Sequence, residues 1–176
     1  VGWGLTVGLA ASLVSGMACA RDSEARSAEV WDRLSVAQAR QLLEDIGAKP
    51  GKVEDKVNGD YSIQVNHGGD LPFTLTGFDC RGSGETKSCP RYEISASFSM
   101  ESEAEAARLE HRVAMNWIVD SSDENGYLDV WRQFSLEGGV TRGHLKNELQ
   151  GFVNALLNVV DIVYPPKSAT GGPGAG

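Results

Sequence analysis

The residues RYEISASFSM (Arg91–Met100) alternate without a break. Tyr92, Ile94, Ala96, Phe98 and Met100 fall on one side, and Glu93, Ser95, Ser97 and Ser99 on the other. Successive side chains of an extended backbone point to opposite faces, so this pattern describes a strand with one buried face and one wet face. Parallel strands are buried on both faces, so the sheet is antiparallel. Upstream, LPFTLTGF (Leu71–Phe78) sets Leu71, Phe73 and Leu75 against Thr74 and Thr76, and DYSIQV (Asp60–Val65) repeats the period with Tyr61, Ile63 and Val65. The linkers NGD and NHGGD supply Asn and Gly, which accept the positive φ of tight hairpins. VEDKV (Val53–Val57) reads as a short extra strand at the edge.

Helical spacing flanks this block. Ser35 with Gln38 three residues on forms a capping box, and Leu34 before it is half of a hydrophobic staple. Val36, Ala39, Leu42, Leu43 and Ile46 then share one face, Gly47 supplies the stop, and Pro50–Gly51 reads as a break. Residues 101–118 return to the helical period, with an inner stripe of Ala106, Leu109, Val113 and Trp117. DSSDENG (Asp120–Gly126) reads as a loop before the strand YLDVWRQFSL, whose inner row Leu128, Val130, Phe134 and Leu136 is interrupted by Arg132. A final helix, capped at Thr141, carries Leu145, Leu149, Phe152, Val153, Leu156, Val160 and Val163, and Pro165–Pro166 ends it. The predicted order is helix, three or four strands, helix, one or two strands, helix. That is an α+β fold, an antiparallel sheet flanked by three helices.

The chain has 176 residues, enough to bury a core without a metal or several disulfides. Its formal net charge is -8 and its basic residues are scattered, which argues against nucleic acid as a partner. Residues 1–20 contain no charge and end in Ala18-Cys19-Ala20. This reads as a cleaved export signal with a mature start at Arg21, and its Gly- and Ser-rich composition makes a poor membrane span. The expected organisation is signal peptide 1–20, polar lead-in 21–34, one domain 35–164 and a disordered tail 165–176, in a periplasmic or secreted protein. Cleavage removes Cys19 and leaves Cys80 and Cys89, with RGSGETKS between them, in a compartment that oxidises thiol pairs. A bridge there would close a hairpin tip and hold the register of two strands. A redox switch is the minor alternative, since no neighbouring residue marks either sulfur as activated.

Motifs of chemistry are missing. His67, His111 and His144 lie far apart in sequence and no Cys-x-x-Cys occurs, so no metal and no cofactor is expected. Ser121–Arg132 fails as a calcium loop, because it begins on Ser121 and places Arg132 where a bidentate carboxylate is required. No nucleophile elbow, phosphate loop or dinucleotide fingerprint is found, and no sequence feature gives Ser83 a general base, so no catalytic residue is assigned. Tyr127 and Trp131 fall on the outward side of their strand, where aromatic residues mark a contact surface or a face covered by a second subunit.

Taken together, QLLEDIG, the glycine-rich hairpins, C…CPRYEISASF, Asn116–Trp117 at the close of the second helix, and FSLEGGVT resemble the YbjN family of bacterial sensory transduction regulators. Leu136, Gly138, Gly139, Val140 and Thr141 are the most specific piece. The resemblance spans about Ser35 to Val163. It implies a fold like that of type III secretion chaperones, a homodimer, and binding of protein segments, with no catalytic residues. Trp117 to Gly138 is several residues shorter than the family pattern, which predicts a trimmed or absent hairpin before the glycine pair. The expected function is therefore an exported, non-catalytic protein-binding module, chaperone-like or regulatory. The alternatives are a structural or envelope-stress protein without a peptide-binding role, or a hydrolase whose constellation forms only in space.

Overall fold

A computed structural model describes residues 28–69, 71–100, 118–122 and 127–164, with the backbone alone for 118–122. The chain opens with two short strands, β1 (Val30–Trp31) and β2 (Leu34–Ser35). Helix α1 (Val36–Asp45) follows directly, and its capping box is complete: Ser35 Oγ accepts from the Gln38 amide at 3.2 Å, and Gln38 Oε1 accepts from the Ser35 amide at 2.8 Å. Gly47, at φ 78°, ends the helix where a Cβ would be strained. Strands β3 (Ala48–Asp55), β4 (Tyr61–His67) and β5 (Leu71–Phe78) come next. Then follow β6 (Ser88–Cys89), β7 (Arg91–Ser99), β8 (Ile118–Ser122), β9 (Tyr127–Ser135) and β10 (Val140–Thr141). The last element is helix α2 (Arg142–Val163), whose cap Thr141 accepts from the His144 amide at 3.2 Å.

Six strands form one antiparallel sheet in the order β3-β4-β5-β7-β9-β8. The alternation read from Arg91–Met100 is the burial pattern of β7: Tyr92, Ile94, Ala96 and Phe98 are buried, and Glu93, Ser95, Ser97 and Ser99 are not. Both helices contribute to the same core as the inner residues of the sheet, with Phe152 of α2 meeting Phe73 of β5 edge-to-face at 5.9 Å. The fold is α+β. Among the described residues it has two α-helices; the helix expected at 101–118 lies outside them, apart from Ile118, which opens β8 instead. Asn116 and Trp117, residues 1–20 expected as an export signal and residues 165–176 expected as a tail also lie outside the described residues.

Four expectations need correction. Pro50 and Gly51 do not break the chain: they lie inside β3, at a shift of register between Pro50 and Val53. An edge strand tolerates a proline at a bulge, because one side of its backbone has no neighbour to bond. Asp120–Ser122 is strand, not loop, for β8 pairs with β9 from Ile118↔Trp131 to Ser122↔Tyr127. The hairpin before Gly138 is therefore present. The polar lead-in is also structured from Val30 onward: β1 pairs with β10, β2 pairs with β6, and Trp31 and Leu34 enter the core. Arg132, which interrupts the inner row, pairs with Glu148 of α2 at 3.0 Å.

Candidate functional site

The cysteines lie where β5 ends and β7 begins. Cys80 and Cys89 are joined, with their Cα atoms 4.1 Å apart. Cys89 is fully buried and Cys80 partly so. The bridge packs on Gly77, where an added Cβ would meet Cys89 Sγ at 2.7 Å and the rings of Tyr61 and Tyr92 at 3.1 Å. Any larger residue would have to displace the disulfide or a ring. Beside it, Tyr61 and Tyr92 share a hydrogen bond of 2.9 Å, and Tyr92 donates onward to the Leu34 carbonyl at 2.5 Å. With the Tyr92 proton committed to Leu34, Tyr61 is the donor between the two hydroxyls. Burial pushes Tyr61 up to about 12 and raises Tyr92 further, with the neighbouring Tyr61 adding to the effect. Neither hydroxyl is an acid or base near neutral pH. They are structural donors.

The segment between the cysteines is docked rather than loose. Arg81 and Ser88 exchange backbone hydrogen bonds at 2.9 and 2.8 Å, and the Lys87 carbonyl accepts from the first amide of α1 at 2.9 Å. Lys87 is buried along its stem and bonds Asp55 at 2.5 Å. Asp79, just before the bridge, adopts φ 55° and is held from both sides. Its carbonyl accepts from Arg33 at 3.0 Å and its carboxylate pairs with Arg91.

The family-like turn is equally architectural. Leu136 is fully buried and donates its amide to the Pro90 carbonyl at 2.8 Å. Gly138 and Gly139 both take left-handed φ, 90° and 89°, and a Cβ on Gly139 would meet Val30 at 2.8 Å. Val140 pairs with Trp31, and Thr141 caps α2. These residues set the path from sheet to helix.

The outward side of the sheet is different. On β5, β7 and β9 no outward residue is buried, from Pro72, Thr74, Thr76 and Phe78 to Tyr127, Asp129, Trp131, Gln133 and Ser135. Tyr127 is 42% exposed and Trp131 half-buried; four residues of strand separate them by roughly 13 Å on one face. Serines and threonines fill much of the surface between, and Gln133 bonds Glu93 across the strands at 3.0 Å. At one corner an open cavity of about 320 Å³ is lined by Phe78, Arg91, Tyr92, Gln133, Phe134 and Ser135. Phe78 is its outward aromatic residue; Tyr92 and Phe134, which also border it, stack their rings 5.7 Å apart on the inner side of the sheet. Sequence alone gives Phe78 and Arg91 no role. An apolar Phe78 on an outward position was the available signal.

The structure therefore separates the candidate residues. Tyr127 and Trp131 share the outward face, whereas Cys80, Cys89 and the Leu136–Thr141 turn belong to the framework. Among the described residues, no group of three or more His, Cys, Asp or Glu is placed to hold a metal ion, and no helix is long and apolar enough to cross a membrane. His144 approaches Glu148 at 3.7 Å and His67 lies at the end of β4.

No family model and no curated protein matches the chain. Among solved structures, the fold is similar to the crystal structure of an uncharacterized protein from Methanothermobacter thermautotrophicus. The two are 14% identical over 74% of this chain and 96% of the other, with a TM-score of 0.50. At that identity the likeness is one of fold alone.

Proposed function

We propose that this chain is an exported, non-catalytic, dimeric module of the YbjN kind that binds segments of other proteins on the outward face of its sheet. The observation that carries the reading is that face. A sheet side that stays accessible over three adjacent strands, holds Tyr127 and Trp131, and ends in an open cavity is suited to an extended segment with apolar anchors. Tyrosine and tryptophan supply contact area at low entropic cost, and the serine and threonine hydroxyls around them can donate or accept. The disulfide supports an oxidising compartment, and the resemblance described above supports a chaperone-like or regulatory role.

The test is affinity capture from an envelope extract, comparing the mature chain with Trp131→Ala. The reading expects at least one partner to be lost or strongly reduced with the variant. Identical capture by both proteins would remove the sheet face from consideration.

A further inference from the structure

Between Glu148 and Asp161, helix α2 reads LQGFVNALLNVV, without a charge, in a chain with 16 basic and 24 acidic residues. Its inward side fills the core with Leu149, Phe152, Val153, Leu156 and Val159. Its outward side exposes Asn147, Gly151, Asn154, Leu157, Asn158 and Asp161. Five of these, all but Leu157, recur at alternating steps of four and three, which makes a nearly straight seam along the helix. Surface helices of soluble proteins usually carry charge on this side.

Gly151 sharpens the point. It is exposed, and a Cβ there would meet nothing within 4 Å, so nothing among the described residues requires a glycine. A glycine inside a helix costs about 1 kcal/mol relative to alanine. Its remaining use is to let another backbone approach closely, as small residues do where helices pack. Leu157, 49% exposed, stands beside the seam.

The chemistry of the seam selects its occupant. A chain of net charge -8 repels its own copy wherever carboxylates meet, and the seam, uncharged from Asn147 to Asn158, avoids this over most of its length. A side-chain amide both donates and accepts, so an asparagine can pair with its own copy across a two-fold axis. Gln150 donates to Asn154 Oδ1 at 3.3 Å, which leaves the Asn154 amide nitrogen to donate outward. The ends are complementary as well. Lys146 lies near the N-terminal end and Asp161 at the C-terminal end, so an antiparallel pair centred near Asn154 sets each lysine beside the other copy's aspartate. A parallel pair would set like beside like.

We propose that the outer face of α2 is the self-association surface, with two copies packing this helix antiparallel about a two-fold axis near Asn154. The inference rests on the dimeric part of the proposed function. It leaves the outward sheet face free, because α2 covers the opposite side.

Sedimentation equilibrium of the oxidised chain tests it through a charge swap. Wild-type protein is expected to be a dimer. Lys146→Glu and Asp161→Lys should each weaken it roughly tenfold or more, since each places like charges together twice across the axis. The double variant should restore it. Lys146 also lies in the field of Asp45, so Asp161→Lys, which is remote from that pair, is the independent arm. A monomeric wild type, single variants that dimerise as before, or a double variant that stays dissociated would overturn the proposal. A dimer lost on Trp131→Ala alone would also overturn it, by moving the interface to the sheet. Unchanged sedimentation of Trp131→Ala, with its partner capture lost, would support two separate surfaces.

Discussion

Tyr92 gathers three contacts on one side chain: the Tyr61 hydroxyl, the Leu34 carbonyl and the stacked ring of Phe134. It thereby ties β7 to β4, to β2 and to β9. Tyr92→Phe keeps the ring and removes the oxygen, stranding the proton of Tyr61 and one lone pair of Leu34. The expected loss is about 1–3 kcal/mol in urea unfolding, against less than about 0.5 kcal/mol for Tyr127→Phe on the surface. Asp45 makes a pH-dependent contact between the helices. Burial alone would push its carboxyl up, but hydrogen bonds from Arg142 and Gln41 and the charges of Arg142 and Lys146 outweigh this and hold it below the ordinary value of 3.8. The same Arg142 lies over the Trp31 ring at 5.8 Å and donates its backbone amide to the Glu29 carbonyl at 2.8 Å. A carboxyl depressed in the folded state stabilises fully above its unfolded value and ceases to do so as pH falls through the folded value. Asp45→Asn should therefore cost about 0.5–1 kcal/mol at neutral pH, and the gap to wild type should narrow in unfolding curves as pH falls below 3.8.

Among the elements, the β5–β7 connection depends most visibly on one bond. The Cys80–Cys89 bridge closes a short loop that also supplies β6, the partner of β2. Exported protein should contain no free thiol by mass spectrometry of the mature chain, and the Cys80→Ser/Cys89→Ser variant should lose about 2–3 kcal/mol in urea unfolding. Two free thiols in exported protein, or an unchanged midpoint, would contradict the staple. This loop and its strands were legible because their signals are local: strict alternation in β7, turn residues in the hairpins, and Ser35 with Gln38 at the head of α1. What the sequence concealed depends on distant partners. Pro50 can lie in a strand only because β3 is an edge. Ile118–Ser122 is a strand because β9 pairs with it, although its own residues, followed by DENG, resemble a loop. Arg132 looked like an intruder in an apolar row, because its partner Glu148 belongs to a helix that packs over that row. The outward aromatics were visible from period alone; the cavity beside Phe78 was not, since it needs three strands assembled.

At the scale of the molecule, the two sides of the sheet differ in what covers them. The inner side joins α1, α2 and the sheet into one core. The outward side of β5, β7 and β9 remains open, and α2 turns a seam uncharged over most of its length to the surface opposite it. The arrangement accommodates a dimer through the helix and a partner through the sheet at once. Ser97 lies near the centre of the open face, exposed and paired in register with Asp129, between Tyr127 and Trp131 on the neighbouring strand. A photo-crosslinking residue placed at Ser97 in cells that export the protein is the most direct test of the central claim. The account predicts adducts to other envelope proteins that disappear when Trp131→Ala is combined with the probe. Adducts only at twice the chain mass, or other-protein adducts that persist with Trp131→Ala, would contradict it.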